Sequence, residues 1–314
     1  MLVETEALTV EHRRVAYPVG RTQERMRERG LPARLVSRAS PWAGRALLER
    51  EEPTLRRHAV LWYGLLACAL AWLGWGPQIL GSRGVSPFDH PAFGLANLLA
   101  GLSPTVAALV VLRATEGRAA IKSLLTPLVR WRVGIWWYMV ALLGPVALFA
   151  LASLVETIRA GGWVGVPSSI AAPAVGGALA ANVAINLWEE IGWRGYALPR
   201  LQERHGPLAA ALMVGTLWAV WHLPLFLVAG HPFAAEPAWR LLVGILGSSV
   251  IYAWVWNSAR RSLLVVTLLH ASINTVGGLL YNGSYLAVTL ANLLVALVVA
   301  LATRGRLGAE EPAA

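Results

Sequence analysis

The chain has 314 residues, of which 56% are hydrophobic and only 14% charged, with a formal net charge of +10. A soluble domain usually carries about 25% charged residues, so this composition excludes an ordinary soluble globule. A basic balance of this size suggests nucleic acid in a soluble protein. Here the arginines flank apolar runs instead, so no nucleic-acid partner is expected and the lipid bilayer is.

Residues 1–57 hold twelve arginines and eight glutamates and read as a polar cytoplasmic tail, either short surface helices or disordered. From there on, the runs 59–82, 91–112, 133–155, 160–188, 205–235, 241–259 and 262–303 contain no Asp, Glu, Lys or Arg. A transmembrane helix needs about 20 apolar residues. Six runs fit one span each. The last is broken by Tyr281-Asn282-Gly283-Ser284 and fits two. The expected fold class is therefore all-α, a polytopic membrane protein with about eight transmembrane helices in a domain spanning 58–304 and a short tail at 305–314. Residues 114–132 mix apolar and basic positions and are expected to form an interfacial helix.

Every second connection is basic. Arg56-Arg57, the segment holding Arg113, Arg118, Lys122, Arg130 and Arg132, the turn with Arg194, Arg200 and Arg204, Arg260-Arg261, and Arg304 with Arg306 alternate with loops poor in positive charge. The positive-inside rule then puts both termini in the cytoplasm. Arginine far outnumbers lysine, which suggests a bacterial inner or plasma membrane. The lone Cys68 excludes an internal disulfide or a thiolate cluster. No signal peptide is expected, because the first apolar run begins too late. The tryptophans near span ends fit an aromatic belt.

Of sixteen glutamates and one aspartate, only Glu189 and Glu190 fall well inside apolar runs. A carboxylate in the membrane interior costs several kcal/mol unless paired or hydrated, so such residues point to function. Asn182, Asn186, Glu190 and Arg194 recur at four-residue steps, which places them on one helical face and lets Glu190 pair with Arg194. Glu189 points roughly 100° away. The bland alternative is that both acids reach water at the cytoplasmic end of their span. Among seven histidines, only His222 and His270 lie inside spans. Pro224 is expected to free a carbonyl near residue 220 and open the helix locally. His270 and Asn274 share a face one turn apart. Depth counted from Arg194 and Arg261 at about 1.5 Å per residue brings Glu189, His222 and His270 into one layer in the cytoplasmic half of the bilayer.

That set suits amide hydrolysis. Glutamate and histidine can activate a water. Two histidines and a glutamate, here Glu189, His222 and His270, can alternatively hold a divalent ion such as zinc with an open position. His270 and Asn274 can donate to an oxyanion. Neither H-E-x-x-H nor G-x-S-x-G occurs.

The pattern Glu189-Glu190-x-x-x-Arg194, the aromatic Trp218 four residues before the imidazole in Trp218-x-x-x-His222, and His270-x-x-x-Asn274 resembles the CPBP family of intramembrane endopeptidases, the CAAX protease and bacteriocin-processing or Abi family. Gly195-Tyr196, Leu198-Pro199-Arg200-Leu201 and His222-Leu-Pro224 resemble its flanks, and the resemblance spans about 90–300. Trp218 stands where the family usually has Phe. The resemblance implies cleavage of a membrane-associated peptide or protein near the cytoplasmic face. Glu189 with His222 would activate water, His270 and Asn274 would hold the oxyanion, and Glu190 and Arg194 would be structural partners or tune the site. Arg194, Asn186 and Trp218 would support them. The mechanism it implies is glutamate-dependent or metal-dependent. The alternatives are a non-catalytic immunity or scaffold protein that keeps the fold, and a transporter or proton relay.

Overall fold

The computed structural model describes residues 2–4, 9–11, 19–30, 54–161 and 172–309. Much of the 1–57 segment, the start of the 160–188 run and residues 310–314 lie outside the described residues. The chain divides into two compact units, Met1–Arg57 and His58–Ala314.

In the first unit, strands β1 (Leu2–Glu4) and β2 (Thr9–Glu11) pair antiparallel with Val3 opposite Val10, and α1 (Val19–Glu28) and α2 (Thr54–Arg57) are helical. The short strand pair was not expected from a polar, Arg/Glu-mixed segment.

The second unit is a helical bundle. It runs α3 (Ala59–Gly81), α4 (Ala96–Thr115), α5 (Ala119–Leu125), α6 (Ile135–Ala160), α7 (Ala172–Glu190), a π-helical turn (Ile191–Ala197), α8 (Leu198–Gln202), α9 (Pro207–His222), α10 (Ala238–Ser258), α11 (Leu263–Leu279) and α12 (Tyr285–Ala302). Among the described residues, six helices are long and apolar enough to cross a membrane: α3, α4, α6, α9, α10 and α12, with α4 and α9 extended by adjoining 3₁₀ turns. The chain is a multi-pass membrane protein. The other two expected spans are the exceptions that hold chemistry. Helix α7 carries Asn182, Asn186, Glu189 and Glu190, and α11 is 17 residues long.

Helix α11 packs against α6 and α7, α10 packs against α9 and α12, and α3 packs against α4. Glycines permit the closest approaches. A Cβ on Gly192 would lie 2.5 Å from Pro104 of α4, so the chain carrying the two glutamates seats directly on that helix. Pro224 has a different effect from the expected opening. Helix α9 ends at His222 and continues as a 3₁₀ turn (Leu223–Leu227), in which the Leu223 N–H donates to the Val220 carbonyl. The proline sits where its missing N–H is harmless, and the carbonyl near 220 stays bonded.

The basic connections gather at one end of the bundle. Arg130 Nη1 donates to the Arg260 carbonyl at 3.3 Å, Arg260 Nη1 to the Arg132 carbonyl at 3.1 Å, and Asn257 Nδ2 to the Leu307 carbonyl at 3.1 Å. Arg200 pairs with Glu116 at 2.6 Å. Residues 303–309 do not leave as a free tail, since Leu307 is fully buried. At the opposite end, Arg83 donates to the Leu227 carbonyl at 3.1 Å, and Glu156 on α6 accepts from Ser284, the N-cap of α12, at 2.5 Å.

Candidate active site

Helix α7 and its π-helical continuation bring the polar stripe inward. Arg194, counted above as a loop cation, is completely buried and forms a 2.9 Å ion pair with the equally buried Glu190. The i,i+4 spacing across the widened turn permits the pair, and enclosure leaves the guanidinium stacked on the Trp218 and Tyr252 rings at 4.6 and 4.5 Å. The helical path continues to Gln202. Glu189 lies 13 residues before that end.

Helix α11 adds His270, whose Nδ1 lies 2.8 Å from Glu190 Oε1. The same carboxylate oxygen therefore meets both Arg194 and His270. Turning Nδ1 to Glu190 leaves Nε2 as the free ring nitrogen of His270. Glu189, 7% exposed, makes a different contact: its Oε2 accepts from the indole Nε1 of Trp218 at 3.0 Å. Phenylalanine at that position has no N–H to offer. His222 ends α9 and its Nδ1 donates to the Trp218 carbonyl at 2.8 Å, because a carbonyl can only accept. That bond fixes Nε2 as the basic nitrogen of the neutral ring. Asn274 Nδ2 donates to Asn186 Oδ1 at 3.2 Å, which joins α11 to α7 and keeps one amide hydrogen of Asn274 unused. Asn182 makes a parallel bond to Thr275 at 3.0 Å.

Glu189, Trp218, His222, His270 and Asn274 line one cavity of about 450 Å³. Glu190, Arg194 and Asn186 stand behind that wall. The doublet thus splits, with Glu189 at the cavity and Glu190 holding His270. Sequence reasoning missed Tyr252, which backs Arg194 and stacks on His270 at 5.4 Å between centroids; tyrosine in an apolar helix gives no signal beyond packing. It also missed the far wall, where Ser248 and Asn292 sit within hydrogen-bond reach at 3.3 Å. Tyr281, between α11 and α12, is pushed up to about 12 by burial and by nearby Glu156, so it stays neutral at the cavity's edge.

Among the described residues, no three His, Cys, Asp or Glu side chains are gathered as metal ligands. Glu189, His222 and His270 share the cavity wall without forming such a group. A carboxylate, two imidazoles and an amide facing one chamber can hold a water, take its proton and donate to a developing oxyanion.

The fold and this site define a polytopic helical membrane protein with a carboxylate–imidazole chamber in its bundle. Residues 171–276, which carry every site residue named above from Asn182 to Thr275, match the family model described as type II CAAX prenyl endopeptidase Rce1-like. The chain is also 31% identical over 93 residues to "CAAX prenyl protease 2" of Methanococcus maripaludis. That alignment covers 28% of this chain and 34% of the relative, so the match spans about a third of the relative's length. The resemblance seen in the three motifs is thus borne out over the segment that builds the site.

Proposed function

We propose that this protein is an intramembrane endopeptidase that hydrolyses a peptide bond of a membrane-associated protein or peptide. The observation that carries this reading is the convergence of Glu189 from α7, His222 from α9, and His270 and Asn274 from α11 on one cavity within an apolar bundle. A carboxylate lining such a chamber has a chemical role to justify its cost.

The Glu189 carboxylate, oriented by Trp218, accepts a proton from a water that His222 Nε2 also holds. The water oxygen attacks the carbonyl carbon of the scissile bond, forming a C–O bond and placing negative charge on the carbonyl oxygen. His270 Nε2–H and the unused Asn274 N–H donate to that oxygen. His270 Nδ1 stays on the Glu190 carboxylate throughout. The C–N bond then breaks, and the proton held by Glu189 passes to the departing amine. Glu190 and Arg194 are positioning residues, because they act through His270 and Trp218.

The test is mass spectrometry of membrane-tethered peptides incubated with purified protein in detergent. New termini are expected with the wild type and not with His222→Ala or Glu189→Ala. Product formed at an unchanged rate by either variant contradicts the mechanism. A match to a prenyl protease makes a lipidated tail one substrate to include, on the strength of that relative's name alone.

A further inference from the structure

The far wall of the cavity is built by α10 and α12, which contribute Gly244, Ser248, Thr289 and Asn292. Glycines set its spacing. A Cβ on Gly244 would lie 3.2 Å from Thr289 Oγ1, and one on Gly247 3.2 Å from the carbonyl carbon of Asn292. Helix α12 therefore seats on the bare backbone of α10 at these two residues.

After Tyr285, α12 is apolar except for Thr289 and Asn292. A polar side chain in such a span needs a partner or a task. Thr289 has its partner: Oγ1 donates to the Arg240 carbonyl at 2.7 Å and ties α12 to the start of α10. Asn292 is only half satisfied. Its Oδ1 accepts from Ser248 Oγ at 3.3 Å. A good hydroxyl bond is about 2.7–2.8 Å long, so this is a weak clasp between helices. Among the described residues, its Nδ2 meets no protein acceptor, and unlike Nδ2 of Asn186 it is not sealed away from the cavity. The residue is only 6% exposed. An asparagine held by its oxygen presents two N–H donors.

The rest of the lining decides what those donors take. Apart from Glu189 and the two histidines, no lining residue is Asp, Glu, Lys, Arg or His. A charged ligand group on the far wall loses hydration and gains no counter-charge. A neutral acceptor fits, and a polypeptide carries one at every residue, its main-chain carbonyl.

We propose that Asn292 is a substrate-binding residue that donates from Nδ2 to a main-chain carbonyl of the bound polypeptide, at a residue away from the scissile bond. This rests on the endopeptidase reading. Asn274 holds the carbonyl under attack and Asn292 holds a second one, so the two amides set the register of the chain over Glu189. Ser248 is a positioning residue, because it acts by holding the Asn292 oxygen. Asn292 lies outside residues 171–276, so this selection belongs to a part of the chain that the family model does not reach.

Asn292→Leu removes the donors at similar volume, and Asn292→Gln keeps them. A contact made equally to substrate and transition state shows in KM and not in kcat. For a tethered peptide that the wild type cleaves, KM is expected to rise roughly 10-fold in Asn292→Leu and to stay near the wild-type value in Asn292→Gln. Ser248→Ala is expected to raise KM and Ser248→Thr to restore it. Peptides with one main-chain amide at a time replaced by an ester, a poorer acceptor, locate the contact. At one position the ester should weaken wild-type binding and leave Asn292→Leu unaffected. An unchanged KM in Asn292→Leu, or equal ester losses in both proteins at every position, overturns the proposal. Where Asn292→Leu fails to fold, equal KM in Ser248→Ala and Ser248→Thr overturns it. Binding is also read without cleavage, by fluorescence anisotropy of a capped, uncharged, labelled Ala/Ser/Leu peptide on Glu189→Gln protein with and without Asn292→Leu. Weaker binding with Asn292→Leu supports the far-wall contact even where the wild type cuts nothing, a result that contradicts the endopeptidase reading alone. Equal binding overturns the contact.

Discussion

The indole N–H of Trp218 donates to Glu189 Oε2 at 3.0 Å, while the other side of the same residue, its carbonyl, accepts from His222 Nδ1 at 2.8 Å. One side chain and its own backbone thereby orient both members of the proposed water-activating pair. The usual phenylalanine of the resembling family supplies only the second contact. Trp218→Phe is therefore expected to keep the ring stacked on Arg194 and lose the bond to Glu189. A hydrogen bond to a charged group contributes about 1.5–3 kcal/mol, so the rate should fall roughly 10- to 100-fold. Steady-state kinetics should place the loss in kcat more than in KM, with thermal unfolding little changed.

The Glu190–Arg194 pair is enclosed on all sides, and Arg194 keeps Nε and Nη2 without a bonded partner. Removing one partner of a buried pair costs about 3–5 kcal/mol, because the other charge is left stranded. Glu190→Ala is expected to lower the unfolding temperature of the detergent-solubilised protein sharply. The double variant Glu190→Gln with Arg194→Met should recover much of that stability yet stay slow, since His270 then loses its carboxylate. Recovery of full activity in the double variant contradicts the positioning role.

Backbone approach at Gly192 gives a test of packing. A methyl there meets Pro104 at 2.5 Å, including its backbone, whereas one on Gly278 meets nothing within 4 Å. Overpacking costs about 1–3 kcal/mol. Gly192→Ala should destabilise by that order and Gly278→Ala should be neutral, both by thermal unfolding.

Glu189, His222 and His270 share a cavity wall without being gathered as ligands among the described residues, and the proposed steps use only these side chains and a water. Cleavage is expected to survive incubation with 1,10-phenanthroline, and purified active protein should show metal well below one equivalent by elemental analysis. Stoichiometric zinc that is lost together with activity contradicts this derivation.

Much of this architecture is legible in the sequence, and the misses have physical causes. Hydropathy finds α3, α4, α6, α9, α10 and α12 because each is apolar over its whole length. The i,i+4 stripe predicts the Glu190–Arg194 pair, since helical spacing alone brings them together. What helix spacing cannot express is which helix lies opposite. The His270–Glu190 bond joins residues 80 positions apart and the Asn274–Asn186 bond residues 88 apart. The π-helical turn Ile191–Ala197 leaves no periodic signature, and without it Arg194 reads as the end of a span rather than as part of the core. The strand pair Leu2–Glu4 and Thr9–Glu11 is hidden by a charge-rich composition that suggests no fold.

The most direct test of the central claim is the cleavage rate of one membrane-tethered peptide by purified wild type and by Glu189→Gln. The glutamine keeps an oxygen to accept from Trp218, so the chamber holds its shape while the base is removed. General-base catalysis contributes about 10²–10⁴-fold, and a fall of that size with unchanged unfolding temperature is the expected result. A Glu189→Gln protein that cleaves as fast as the wild type contradicts the account.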